Sequence, residues 1–210
     1  QYKYKEEFDL IIVDEAHGVH IKFHDDLPLS AMQAGADMAA TSVHKLGGSM
    51  TGSSILNVKE GLISTKRVQS ILSMLTTTST SYPLLASLDT ARRQLAINGY
   101  DLIDEAIRLA KNTRKRINTI PHLSCVGREK LGSSATFDMD PTKLLICVKD
   151  LGITGHVAEE WLRQNANLEV ELSDLYNILC IVTIADTKKE MNLLVNALNR
   201  LSNYFESEAA

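Results

Sequence analysis

Leu10-Ile11-Ile12-Val13-Asp14-Glu15-Ala16-His17 is an apolar run that ends abruptly in acidic and imidazole side chains. With Phe8 and Asp9 ahead of it, the run Phe8–Val13 reads as a strand buried on both faces, the pattern of a parallel sheet. A second run, Ala36 to Ser42, ends in the same manner, in Ser42-Val43-His44-Lys45. Between them lie a polar loop, His17 to Asp26, and a short helix from Leu29 to Ala34 that follows Pro28 and stops at Gly35. Strand, connection, strand is the unit of a parallel sheet. It delivers Asp14 and Lys45 from two neighbouring strand ends to one place.

The rest of the chain extends this α/β pattern. Ser53–Val58 reads as a third strand after the Gly47-Gly48 turn, and Ser64–Leu75 as a helix. The hydroxyl-rich Thr76-Thr77-Thr78-Ser79-Thr80-Ser81 breaks the pattern. Two helices are expected next, Pro83–Asn98 and Tyr100–Asn118, and Pro121 marks a boundary. Beyond it, strands are expected at Lys143–Lys149, Leu168–Leu172 and Ile178–Ile184, with helices at His156–Gln164 and Lys188–Leu201. The reading is therefore a large domain over 1–120 and a small α+β domain over 121–210.

Composition narrows the function class. The 210 residues are 44% hydrophobic and 23% charged, ordinary for a globular protein. A net charge of −4 gives no general attraction to nucleic acid or an anionic membrane. No apolar run reaches the roughly 18 residues of a membrane span, and Gln1–Glu7 lacks an apolar signal core. Cys125, Cys147 and Cys180 are odd in number and widely spaced, as reduced thiols are. A cytoplasmic location is expected.

The candidate chemistry lies in the two strand ends. An acid that can hold a pyridinium proton, plus a lysine that can form an imine, is what pyridoxal phosphate chemistry requires. An amine attacks an aldehyde only as the free base, which burial or a nearby cation favours. If the strand continues past Ser42, then Ser42 and His44 share a face and could together hold a phosphate. Ala16 is small enough to lie under a flat ring. Bland readings stand beside these: Lys45 as a solvated strand end, Asp14 as a turn or capping residue, Thr76–Ser81 as a plain loop. His17, His20 and His24 match no familiar zinc spacing, and no cysteine is near. The box Asp14-Glu15-Ala16-His17 also looks like the magnesium-binding strand of a helicase, with Ser134-Ala135-Thr136 mimicking a second helicase motif. No Gly-x-x-x-x-Gly-Lys-Ser/Thr phosphate loop accompanies them.

The ordered series is more specific than any one box. Asp14-Glu15-Ala16-His17-Gly18, Phe23-His24-Asp25-Asp26-Leu27-Pro28, Ala34-Gly35-Ala36-Asp37 and Ser42-Val43-His44-Lys45 occur in that order. Thr76-Thr77-Thr78-Ser79, Tyr82, Ala86-Ser87-Leu88-Asp89, Ala91-Arg92-Arg93, Asp140-Pro141-Thr142-Lys143-Leu144 and Gly152-Ile153-Thr154-Gly155 follow. The series resembles the major domain of the bacterial ornithine/lysine/arginine decarboxylases over nearly the whole chain. The resemblance implies the pyridoxal 5'-phosphate-dependent fold-type I (aspartate aminotransferase) architecture: part of a large domain with a mostly parallel sheet, then a small α+β domain.

By the same resemblance, Lys45 is the Schiff-base lysine and Asp14 the pyridinium partner. Ser42 and His44 contact the phosphate, Ala16 packs against the ring, and His17 sits beside the cofactor. Thr77 reaches the phosphate of a neighbouring subunit, so a homodimer or higher homo-oligomer is implied. The expected reaction is decarboxylation of arginine, lysine or ornithine to the amine and carbon dioxide. The family's ring-stacking histidine and a further phosphate loop precede the Asp14 strand, and its C-terminal domain lies beyond this sequence. A fragment, or one chain of a split enzyme whose partner supplies the N-terminal half, is expected. A related aminotransferase or lyase and a catalytically silent partner subunit are the alternatives; a helicase fragment is the remote one.

Overall fold

The computed structural model describes residues 9–132 and 136–209. Phe8 and the polar segment Gln1–Glu7 lie outside the described residues, as do Ser134 and Ala135 of the helicase-like triplet. The chain forms two compact units, Gln1–Asp101 and Leu102–Ala210. The division falls inside a helix, whereas the sequence placed it at Pro121.

The first unit holds a three-stranded sheet, β1 (Ile12–Asp14), β2 (Met38–Thr41) and β3 (Ile55–Val58), in that order. β1 and β2 are parallel, with Asp14 beside Ala40; β3 runs antiparallel to β2, with Ile55 beside Thr41. Register therefore sorts the side chains. Ile12, Asp14, Met38 and Ala40 share one face, and Val13, Ala39, Thr41, Ile55 and Asn57 share the other. The second face packs. Ala31, Ala36 and Ala39 form a tight buried cluster against Ile11, Val13 and Met32. The first face is open, with Ile12 58% exposed. β1 is thus covered on one face among the described residues, not on both as its unbroken hydrophobicity suggested.

Two local expectations fail here. Residues 31–35 form turns rather than a helix, closed by bonds such as Ala34 N–H to Ser30 C=O at 2.8 Å. Gly35, at φ 99°, then reverses the chain into β2, a conformation that disfavours a side chain. The second strand also ends at Thr41. Val43–Leu46 is a single helical turn, α1, with Ser42 at its N-cap. The Ser42/His44 alternation assumed for a strand therefore does not exist.

α2 (Thr65–Leu75) begins where predicted, because Ser64 caps it by accepting the Arg67 N–H. No α2 residue is buried, and Ile71, Leu72, Met74 and Leu75 are exposed. The two expected helices around Gly99 are one, α3 (Tyr82–Ile117). A glycine inside a helix costs about 1 kcal/mol relative to alanine. Here it makes room: a Cβ on Gly99 would sit 3.3 Å from Cβ of Phe23. The adjacent Tyr100 stacks on His24, with ring centroids 4.5 Å apart. The loop after β1 is pinned to α3 by these two contacts.

The second unit is an antiparallel sheet in the order β4 (Ser124–Cys125), β5 (Lys143–Cys147), β7 (Asn177–Ile181), β6 (Leu172–Ser173), with α4 (Gly155–Ala166) and α5 (Lys188–Ala209). Leu144, Ile146, Ile178, Leu162, Leu198 and Leu201 are fully buried in its core. Of the expected Leu168–Leu172 strand only Leu172 pairs with β7, as part of β6, together with Ser173 just beyond it. The chain leaves α4 through Asn167 in the left-handed region, at φ 52°.

Candidate active site

β1 and β2 end side by side, and the Glu15 N–H to Ala40 C=O bond, at 2.8 Å, ties the first residue beyond β1 to β2. Loops leaving the carboxyl ends of parallel strands are where α/β sheets build their sites. The β1 loop brings Asp14, Ala16 and His17. The β2 end brings Ser42, His44 and Lys45. The central contact joins the two: Lys45 Nζ lies 3.3 Å from His17 Nε2. As an ammonium, Lys45 can only donate, so Nε2 of His17 is then the acceptor.

Asp14 is exposed on the open face of the sheet, and its Oδ1 accepts the Ala16 N–H at 3.1 Å. That bond turns the chain after β1 and leaves Oδ2 without a bond to this loop. His44 is held differently. Its Nδ1 lies 2.7 Å from the Ser53 carbonyl, which only accepts, so Nδ1 carries a proton and Nε2 is left for another partner. The Ser42 side chain, although at an N-cap, makes no capping bond. Thr77 is not brought to this group within the chain. It lies beyond α2, exposed, with its Oγ1 accepting the Ser79 N–H at 3.2 Å.

Several supporting groups were invisible in the sequence because they act through the backbone or by close approach. Ser53 holds His44 with its carbonyl, and its hydroxyl is 2.5 Å from that of Ser49. Ser87 of α3 accepts the Met50 N–H at 3.2 Å, fastening the segment after α1. Glu15 points to the opposite side of the sheet from Asp14, where its carboxylate accepts the Ala31 N–H at 2.6 Å. A cavity of about 510 Å³ opens on that opposite side, lined by Glu15, Thr41, Ile55, Asn57 and α3 residues such as Leu88. Neither Asp14 nor Lys45 lines it, so this hollow is not where the reactive groups meet.

His20 and His24 are buried in the loop, whereas His17 is half-buried beside Lys45. Among the described residues no three His, Cys, Asp or Glu side chains converge as metal ligands would. No helix there is long and apolar enough to cross a membrane.

Residues 2–190 match the family described as Orn/Lys/Arg decarboxylase, major domain. The chain belongs to that family. Membership accounts for the Asp14-Glu15-Ala16-His17 box without a helicase. The arginine decarboxylase of Bacillus anthracis is 67% identical over 199 residues, which is 95% of this chain and 40% of that protein. The chain therefore spans about two fifths of such relatives. Among solved structures, a lysine decarboxylase of Francisella novicida superposes with a TM-score of 0.79 at 24% identity, over 93% of this chain and 33% of that one. The alanine–glyoxylate aminotransferase of Nostoc sp. superposes with a TM-score of 0.67 at 18% identity, over 94% of this chain and 55% of that one. At such identities the likeness establishes the fold, that of the fold-type I pyridoxal-phosphate enzymes expected from the motif series.

The residues present suit that cofactor. The Lys45 amine meets the His17 imidazole, and Asp14 keeps one carboxylate oxygen clear of its own loop. The Ser42 hydroxyl makes no capping bond, and His44 keeps one ring nitrogen clear of the Ser53 bond. Of the two residues between Asp14 and His17, Ala16 is small and Glu15 is engaged by the Ala31 N–H.

Proposed function

We propose that this chain is the cofactor-binding portion of a pyridoxal 5'-phosphate-dependent decarboxylase, with arginine as its substrate in preference to lysine or ornithine. The observation that carries the reading is the meeting of Lys45 with His17 beside Asp14, at the ends of two parallel strands. Arginine is preferred because relatives that share about two thirds of their aligned residues with this chain, such as that of Bacillus anthracis, are arginine decarboxylases.

When bound, the cofactor supplies an aldehyde for the substrate amine and a conjugated ring that accepts the electron pair of the broken carbon–carboxylate bond. Lys45 would hold the cofactor through its side-chain amine. Asp14 keeps the ring nitrogen protonated. Ala16 leaves space against the ring. Ser42 and Nε2 of His44 bind the phosphate. His17, within hydrogen-bonding distance of Lys45 Nζ, orients that amine and can exchange a proton with it. With the cofactor bound, groups that fix the substrate's carboxylate would decide which Cα bond breaks, and so would select decarboxylation over transamination.

The first unit is assigned as the cofactor-binding part and the second as the smaller domain. Thr77 is assigned to the phosphate of a second subunit. The exposed apolar residues of α2, immediately before Thr77, suit such a homodimer. A cytoplasmic setting accords with the free thiols of Cys125, Cys147 and Cys180.

The test uses the full-length enzyme. Borohydride reduction with cofactor bound, followed by peptide mapping, should place the adduct on Lys45. Incubation with arginine should release carbon dioxide and the corresponding amine. An adduct on any other lysine refutes the site. Keto-acid production in place of carbon dioxide indicates an aminotransferase, and absence of any bound-cofactor absorbance indicates a silent partner subunit.

A further inference from the structure

The second unit carries a polar groove that the decarboxylase reading does not use. It lies between α3 and the first turn of α5 and encloses about 320 Å³. Arg108, Asn112 and Arg116 succeed one another at four-residue spacing along α3, so they share a face. Lys188 and Asn192, also four apart, face them from α5. The floor includes Thr113, which is 1% exposed.

The charge balance is positive. Arg108 is engaged by Glu105, through an Nε–Oε2 bond of 2.7 Å and a second shorter one. Asp104 acts on Arg108 from farther off, and Lys188 acts on Glu105. Arg116 spends one N–H on a neutral partner, Asn192 Oδ1, at 2.7 Å. Its charge, and that of Lys188, are therefore not matched one for one by carboxylates lining the groove. The Arg116–Asn192 bond also fixes the distance between the two helices at that end.

Spacing narrows the ligand. Arg108 and Arg116 are eight residues apart, about 12 Å along the axis. Asn112 and Thr113 lie between those positions on α3, and Lys188 lines the groove from the facing helix. A planar carboxylate is satisfied by one guanidinium fork. Cations carried on two facing helices around one groove suit the several terminal oxygens of a tetrahedral dianion instead. The volume exceeds what inorganic phosphate needs and leaves room for an attached polar group.

We propose that this groove binds a small phosphate monoester, with Arg116, Lys188 and Arg108 on the phosphate oxygens and Asn112 and Thr113 completing the cradle. The groove shares no residue with the Lys45 site, and its test does not depend on activity.

Full-length enzyme saturated with its cofactor is titrated calorimetrically at about 0.15 M salt with ribose 5-phosphate, inorganic phosphate and ribose. Ribose 5-phosphate binds, inorganic phosphate binds more weakly and ribose does not. Lys188→Glu, at an exposed position, lowers affinity at least about tenfold, the usual worth of one charge-assisted hydrogen bond. Thr113→Val, which keeps the packing, lowers it several-fold. Absence of binding by ribose 5-phosphate, or an affinity unchanged in Lys188→Glu with its circular dichroism intact, overturns the proposal.

Discussion

Nζ of Lys45 sits 3.3 Å from Nε2 of His17, joining the end of one strand to the loop that follows its parallel neighbour. A contact of this kind lets the imidazole orient the amine and relay a proton to it. Replacing His17 by alanine in the full-length enzyme should lower kcat by roughly 10²-fold, the low end for a general acid–base group. Borohydride should still label Lys45 in that variant. Unchanged steady-state kinetics would remove His17 from the mechanism.

Asp14→Asn retains the Oδ1 that accepts the Ala16 N–H and removes only the charge. The turn should therefore survive, with an unaltered circular dichroism spectrum. Cofactor affinity and turnover should both fall, the latter by about 10²-fold or more, because a neutral amide cannot hold a pyridinium proton. Equal activity of Asp14→Asn and the parent would place the ring nitrogen elsewhere.

Gly155 opens α4 against the β6–β7 connection. A Cβ there would stand 2.1 Å from the Asn177 carbonyl oxygen and 2.5 Å from that of Asp174, both backbone atoms that cannot swing aside. Gly155→Ala should destabilise the protein by about 3 kcal/mol, the upper part of the usual range for overpacking. Denaturant titration of the variant provides the measurement.

Arg114 reaches from α3 to three backbone carbonyls: Nε to Val126 at 2.8 Å, and Nη2 to Pro141 at 3.0 Å and Lys143 at 2.8 Å. Methionine would keep much of the aliphatic stem and lose all three donors. A loss of about 2–4 kcal/mol is expected, since each bond to a charged donor contributes roughly 1.5–3 kcal/mol before water re-solvates the carbonyls. A melting temperature unchanged in Arg114→Met would show the carbonyls to be satisfied by solvent alone.

Burial pushes the Cys125 thiol up to about 11, with Arg114 partly offsetting the effect. The ordinary thiol value is about 8.5. Below that value folded and unfolded chains both keep the proton, and the contribution is fully present. Between about 8.5 and 11 the unfolded chain sheds the proton more readily, so stability falls as pH rises. Thermal unfolding from pH 8 to 10.5 should show this decline, and Cys125→Ala should lessen it, the remainder coming from Cys180, whose thiol burial also pushes up. The native thiol should also resist iodoacetamide at neutral pH.

Much of the architecture was legible locally. The helix starts near Ser64 and His156, the strand that begins at Lys143 and the end of the second strand near Ser42 all appear within a residue or so of where the sequence places them. The misreadings share a cause. Gly99 looked like a helix break, but Phe23, far away in sequence, packs where its side chain would be. Leu29–Ala34 looked helical and folded as turns packed on the sheet, with Ala31 buried and its N–H taken by Glu15. Ser42–Lys45 looked like the tail of a strand and became a helical turn, closed by the Gly47 N–H on the Val43 carbonyl.

The order of the strands and the chemical character of their ends are properties of the chain itself, because hydrophobic period and turn chemistry act over a few neighbouring residues. Which groups meet is another matter. The pairing of Asp14 with Ala40, the pinning of the β1 loop on Gly99 and Tyr100, and the approach of His17 to Lys45 all came from the folded structure. Register and side-chain direction depend on partners distant in sequence, and a shift of one residue in β1 would send Asp14 to the packed face and Glu15 to the open one.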